Sequence, residues 1–167
     1  MRTALVAFLV SILSAAALTP LVRAFARRHG LLDRALSARK IHGRATPRLG
    51  GVAIVAAFYV PLVALLLHET SLGHAFWADR SRALGLFLGG LCIVALGVYD
   101  DTKGAGARLK FVVQFAVAGL MYALGFRIDS IANPFGPDLA LGILGIPFTL
   151  LWIVGVINAM NLIDGLD

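Results

Sequence analysis

One cysteine in 167 residues, Cys92, has nothing to pair with inside the chain, so a disulfide framework is excluded. Charge is also scarce: 14% of the residues are Asp, Glu, Lys or Arg, against about a quarter in a soluble domain. Acid is scarcest, with nine Asp and Glu facing fifteen Lys and Arg. By contrast, 59% of the residues are hydrophobic and the mean hydropathy is +0.87. Such a chain is neither disordered nor able to hide its apolar surface in one soluble core. The net charge of +6 flanks apolar runs instead of forming a tail, so a nucleic-acid partner is not expected. Composition points to an integral membrane protein.

Five stretches lack Asp, Glu, Lys, Arg and His: Thr3–Val22, Leu49–Leu67, Ala83–Tyr99, Phe111–Phe126 and Leu139–Ile163. About 20 apolar residues cross the hydrocarbon as a helix, and lipid tolerates no open backbone. The expected fold is therefore all-α and polytopic, with five transmembrane helices in one membrane domain, 1–167. Lys110 and Arg127 can snorkel from the short fourth stretch. Eleven of the Lys and Arg fall between Arg23 and Arg48 or between Lys103 and Lys110, whereas Arg2, Arg80, Arg82 and Arg127 lie on the other side. The rich side belongs in the cytoplasm, which places the N-terminus outside the cell (inner) membrane. Arg2 and the small residues Ala15–Ala17 resemble a signal peptide, but the basic load follows the run and favours a retained helix. Gly145 and Pro147 are expected to loosen or kink the fifth helix. Asn133-Pro134 and Gly136-Pro137 mark turns, and a short hairpin there has only weak support.

Chemistry must come from loops 23–48 and 100–110 and from segment 158–167. Glu69, Asp79, Asp129 and Asp138 read as ordinary solvated loop residues, and Asp33 as a local ion-pair partner. Asp100-Asp101 ends an apolar helix before Gly104-Ala105-Gly106, Arg108 and Lys110. In a soluble loop the pair would be a solvated doublet balanced by Lys103. At a membrane helix end, paired hard oxygens followed by cations suit Mg²⁺ and a diphosphate. Asn158, Asn161, Asp164 and Asp167 recur every three residues, so they cannot form one helical stripe. The helix is expected to fray after Asn161, with Gly165 letting Asp164 and Asp167 reach a ligand from a turn. Capping explains one Asn, not four polar groups. Lys40 and His42 precede Thr46-Pro47-Arg48-Leu49-Gly50-Gly51. A positive flank accounts for the basic residues there but not for the Gly-Gly opening, where a helix N-terminus suits phosphate. His29, His68 and His74 carry no motif, and Trp77 fits an outer interfacial belt.

In this order and on alternating helices, these elements resemble the polyprenyl-phosphate N-acetylhexosamine-1-phosphate transferases, glycosyltransferase family 4. The resemblance runs from about Arg39 to Asp167 and includes Lys110 and Gln114. It implies that a polyprenyl phosphate attacks a UDP-sugar in the membrane, releasing UMP and forming a lipid-diphosphate-sugar. Asp100 then resembles the acid that orients or deprotonates the acceptor, with Asp101 beside it at the Mg²⁺ centre. Lys110 resembles a diphosphate contact; Asn161, Asp164, Gly165, Leu166 and Asp167 resemble the nucleotide stretch, with Asn158 in support. Lys40 and His42 resemble part of the sugar-nucleotide loop. The Pro-Arg-Leu-Gly-Gly ending and the short step from Asp101 to Lys110 resemble the UDP-N-acetylglucosamine branch, which feeds cell-envelope polysaccharides such as O-antigen lipopolysaccharide. Arg44-Ala45 departs from the family's usual Pro, which leaves the sugar open. The runner-up is the phospho-N-acetylmuramoyl-pentapeptide transferase of peptidoglycan synthesis.

Family members are about twice as long, with ten or eleven helices and a later metal-binding Asp. The chain therefore reads as an N-terminal half, inactive alone, and a homodimer stays open. A CDP-alcohol phosphotransferase would need its Gly elsewhere in Asp164-Gly165-Leu166-Asp167, and an intramembrane prenyltransferase an Asp-x-x-x-Asp helix. A non-catalytic transporter or assembly subunit would put its carboxylates at the bilayer midplane, not at one interface.

Overall fold

The computed structural model describes residues 2–33, 46–47, 49–68 and 70–164. These form α1 (Arg2–Arg28), β1 (Leu32–Asp33), β2 (Thr46–Pro47), α2 (Gly50–Leu67), α3 (Ser71–Ala78), α4 (Arg80–Lys103), α5 (Ala107–Ala123), β3 (Ser130–Ile131), β4 (Leu139–Ala140) and α6 (Gly145–Asp164). The strands make two antiparallel pairs, Leu32↔Pro47 with Asp33↔Thr46 and Ser130↔Ala140 with Ile131↔Leu139. The fold is all-α.

Among the described residues the buried apolar side chains are mostly small, with Ala26, Ala53, Ala57 and Ala118 at 3% exposure or less. Phe8, Leu13, Ile54, Leu91, Leu151 and Trp152 are exposed. In water this would be inside-out. Lipid is as apolar as Leu, so helices meet through small residues and turn large ones outward. Among the described residues, four helices are long and apolar enough to cross a membrane, in α1, α2, α4 and the segment Gly142–Leu162. α5 has 17 residues and ends before the apolar stretch Phe111–Phe126 does. The reason is a Schellman closure: Gly125 sits at φ 97° and donates to the Tyr122 carbonyl, while the Phe126 amide donates to the Met121 carbonyl.

The chain divides into two compact units, residues 1–80 with 94–105, and residues 81–93 with 106–167. In the first, the opening turns of α1 lie beside the last turns of α2 and line a cavity of about 350 Å³. α3 docks on the end of α2, with the Trp77 indole donating to the Leu66 carbonyl at 3.2 Å. In the second, α5 packs along α6, and Gly85 and Gly89 of α4 admit Phe126 and Met121.

The expected fifth helix is corrected at its start. Residues 139–144 form β4 and a 3₁₀ turn (Gly142–Leu144), and α6 begins at Gly145. Gly145 and Pro147 therefore open the helix instead of kinking it, because Pro is tolerated in a first turn, where its missing N–H has no intrahelical partner. The weakly supported hairpin at 130–140 is present.

Candidate functional site

Asp100 and Asp101 lie near the end of α4, both half-buried. The helix ends on Gly104, at φ 74°, whose amide donates to the Asp100 carbonyl at 2.9 Å. The next amide, that of Ala105, donates to Asp100 Oδ1 at 2.8 Å. Asp100 thus ties down the Gly-rich turn with its backbone and its side chain. Adjacent helical positions diverge by about 100°, so Asp101 leaves the helix in another direction. Lys103 Nζ stands 5.8 Å from the centre of the Tyr99 ring, in a cation–π geometry.

At the start of α2, Leu49 precedes Gly50-Gly51 in the left-handed region, φ 74°, with 7% exposure. A branched residue there is strained by about 1–2 kcal/mol. Its buried side chain anchors it. The Leu49 side chain offers α2 no capping bond, and a Cβ at Gly50 or Gly51 would meet nothing within 4 Å among the described residues. Crowding by a neighbouring helix therefore does not explain these glycines.

Lys110 is half-exposed in the first turns of α5, and Gln114, one turn on, is 2% exposed. Its Oε1 accepts from Asn158 Nδ2 of α6 at 2.7 Å, and the same nitrogen donates to the Val154 carbonyl at 2.8 Å. Asn158 is thus engaged inside the helix pair, and Asn161 is exposed three residues further along. The fraying expected after Asn161 does not occur: α6 stays helical through Asp164. Its 20 residues propagate the ladder, and no Gly interrupts the last turns before Gly165.

Of the expected site residues, Asp100 and Asp101 fall in the first unit, and Lys110, Asn158, Asn161 and Asp164 in the second. Lys40, His42, Gly165, Leu166 and Asp167 lie outside the described residues. The bond from Asn158 to Gln114 had a faint signal, as Gln114 is the lone amide of its apolar run and Asn158 the first of two in its own.

No solved structure matches the chain. Many curated relatives do, among them three transferases. A probable undecaprenyl-phosphate N-acetylglucosaminyl 1-phosphate transferase of Bacillus subtilis is 36% identical over 97% of this chain and 42% of its own. An undecaprenyl-phosphate alpha-N-acetylglucosaminyl 1-phosphate transferase of Thermotoga maritima is 32% identical over 90% of this chain and 42% of its own. A phospho-N-acetylmuramoyl-pentapeptide-transferase of Streptococcus pyogenes is 32% identical over 73% and 38%. The chain thus spans about two fifths of the length of these relatives. Residues 83–167, which hold the Asp pair, Lys110 and the Asn-rich end of α6, match the Glycosyl transferase family 4. Together with apolar helices that carry their polar residues at their ends, this match shows that the chain belongs to glycosyl transferase family 4.

Proposed function

We propose that this chain supplies part of the site of an enzyme that moves N-acetylglucosamine-1-phosphate from a UDP-sugar to a polyprenyl phosphate. One observation carries the reading: the family match covers a half-buried carboxylate pair at a membrane helix end. The first step of an envelope glycan on the cytoplasmic face fits it. A phosphate oxygen of the acceptor bonds to the sugar-side phosphorus of the donor, the bond to the uridine-side phosphate breaks, and UMP leaves.

Among the described residues, no three His, Cys, Asp or Glu stand together as a ready cage. Two hard carboxylates do fit Mg²⁺, which commonly takes one or two and fills its octahedron with substrate phosphates and water. Asp100 and Asp101 would hold it, and when bound it supplies charge neutralisation at the diphosphate. Asp100, held by the Ala105 amide, orients the acceptor phosphate. No strong base is needed, since the second pKa of a phosphate monoester lies near 6. Lys110 offsets charge on the donor diphosphate. Asn161 and Asp164, with Gly165, Leu166 and Asp167 beyond them, hold the nucleotide, and Lys40 and His42 belong to the donor loop.

The test uses membranes that hold the protein as its gene encodes it, with polyprenyl phosphate, Mg²⁺ and UDP-N-acetylglucosamine. Asp100→Asn and Asp101→Asn should each cut UMP release by orders of magnitude at unchanged membrane levels. Near-wild-type rates in both would sink the reading. The name of the Streptococcus relative favours a second donor, so UDP-N-acetylmuramoyl-pentapeptide belongs in the same assay.

A further inference from the structure

We propose that Gln114 is a positioning residue: its bond to Asn158 fixes the register of α5 on α6 and sets Lys110 and Asn161 at one depth. The inference rests on the reading above, in which Lys110 meets the diphosphate and Asn161 the nucleotide.

In lipid the large apolar side chains of α5 and α6 carry little register information, because the solvent is as apolar as they are, so small residues and polar pairs set how the helices meet. Gln114 breaks that degeneracy. It is 2% exposed, and its Oε1 lies 2.7 Å from Asn158 Nδ2. The amide hydrogens of Asn158 go to Gln114 and to Val154, so its orientation is fixed from both helices. A second tie, from the Ile128 amide to Thr149 Oγ1 at 2.9 Å, runs in the opposite sense along α6, so the two strings of residues are antiparallel. From Gln114 to Lys110 is one turn, about 6 Å along α5, and from Asn158 to Asn161 is about 4.5 Å in the same direction. The two residues thus stand within about 2 Å of one height. Lys110 shares the helix face of Gln114, which α5 turns toward α6. A slip of one turn would separate the pair by about 5 Å and leave a buried amide unpaired.

Interhelical amide bonds in membranes add little stability, so Gln114→Leu should still insert and fold. It should lower kcat about ten- to a hundredfold, the penalty for misplacing reacting groups by about an ångström, and change the donor KM much less. The exchange Gln114→Asn with Asn158→Gln keeps the combined side-chain length and should restore most of kcat, whereas Asn158→Gln alone should not. Wild-type kcat in Gln114→Leu, or an exchange no better than either single variant, overturns the proposal.

A readout independent of catalysis uses spin labels on cysteines at Phe111 and Leu162, both exposed, with Cys92 replaced by Ser. The label distance should be narrowly distributed in the parent, broadened in Gln114→Leu and narrow again in the exchange. An unchanged distribution overturns the proposal. Distances that respond as expected, with no transfer from any UDP-sugar in any variant, support the register role and overturn the transferase reading instead.

Discussion

The Thr149 side chain is 2% exposed, and its hydroxyl is used twice. It donates to the Gly145 carbonyl at 2.6 Å and accepts the Ile128 amide at 2.9 Å, stitching the chain after α5 onto the first turn of α6. Thr149→Val keeps the shape and strands that amide, so it should cost about 1–3 kcal/mol and lower the melting temperature in detergent. An unchanged melting temperature would mean that water or another carbonyl replaces the hydroxyl. Thr149 was invisible in the sequence, because one Thr in an apolar run looks like filler until its partner, 21 residues away, is placed. Asp100 stood out in the sequence, since two adjacent acids at a membrane helix end need a reason. Its grip on the Ala105 amide was not, because that depends on how Gly104 turns. Asn158 was expected in support of the nucleotide stretch, and its amide nitrogen donates to Gln114 and Val154. Spacing alone could not say which of four polar residues on a rotating helix faces the neighbouring helix.

Glycines decide how several elements meet, and they differ in what stands opposite. At Gly73 of α3 an added Cβ would meet the backbone carbonyl of Leu65 in hard overlap and that of His68 at 2.8 Å. Backbone cannot step aside, so Gly73→Ala should lift α3 off α2 at a cost of about 1–3 kcal/mol. At Gly89 of α4 the obstacle is Met121 Sδ at 2.6 Å, part of a flexible side chain that can swing away. Gly89→Ala should therefore cost less than about 1 kcal/mol. Trp77 fluorescence reports α3 docking through its bond to Leu66, provided Trp152 is replaced by Phe. A red shift in Gly73→Ala but not in Gly89→Ala is the expected result, and equal spectra would contradict it. The long apolar runs announced α1, α2 and α4 because hydrocarbon thickness sets a length that few other structures need. Element ends were harder to read. α1 continues to Arg28, past the basic residue that closed its apolar stretch, while α5 stops three residues short of the end of its own. α3 lies in a loop too short and mixed to announce a helix.

For the whole molecule, the question is which side of the membrane each loop faces and whether α5 crosses. At about 1.5 Å per residue, the 17 residues of α5 reach about 26 Å, slightly less than a hydrocarbon core of about 30 Å. The second unit argues that it does cross. α6 has spanning length, and α5 runs antiparallel to it, tied at Gln114 to Asn158 and, just beyond α5, at Ile128 to Thr149. A segment held alongside a spanning helix over that length travels most of the same depth. Arg127, with its guanidinium 4.8 Å from the centre of the Tyr122 ring, gives the far end an amphipathic pair suited to an interface. Orientation then follows from charge. Eleven Lys and Arg fall in the segments 23–48 and 103–110 and four elsewhere, and such basic segments are expected at the anionic cytoplasmic face, at about 1 kcal/mol per residue near the surface. Single cysteines at Arg28, Ser71 and Phe135, all exposed, with Cys92 replaced by Ser, separate the alternatives. With an impermeant thiol reagent, the Ser71 and Phe135 sites should label in intact cells, and the Arg28 site only after permeabilisation. Protection at Phe135 together with labelling at Ser71 would mean that α4 crosses and α5 does not. Labelling at Arg28 alone would invert the chain.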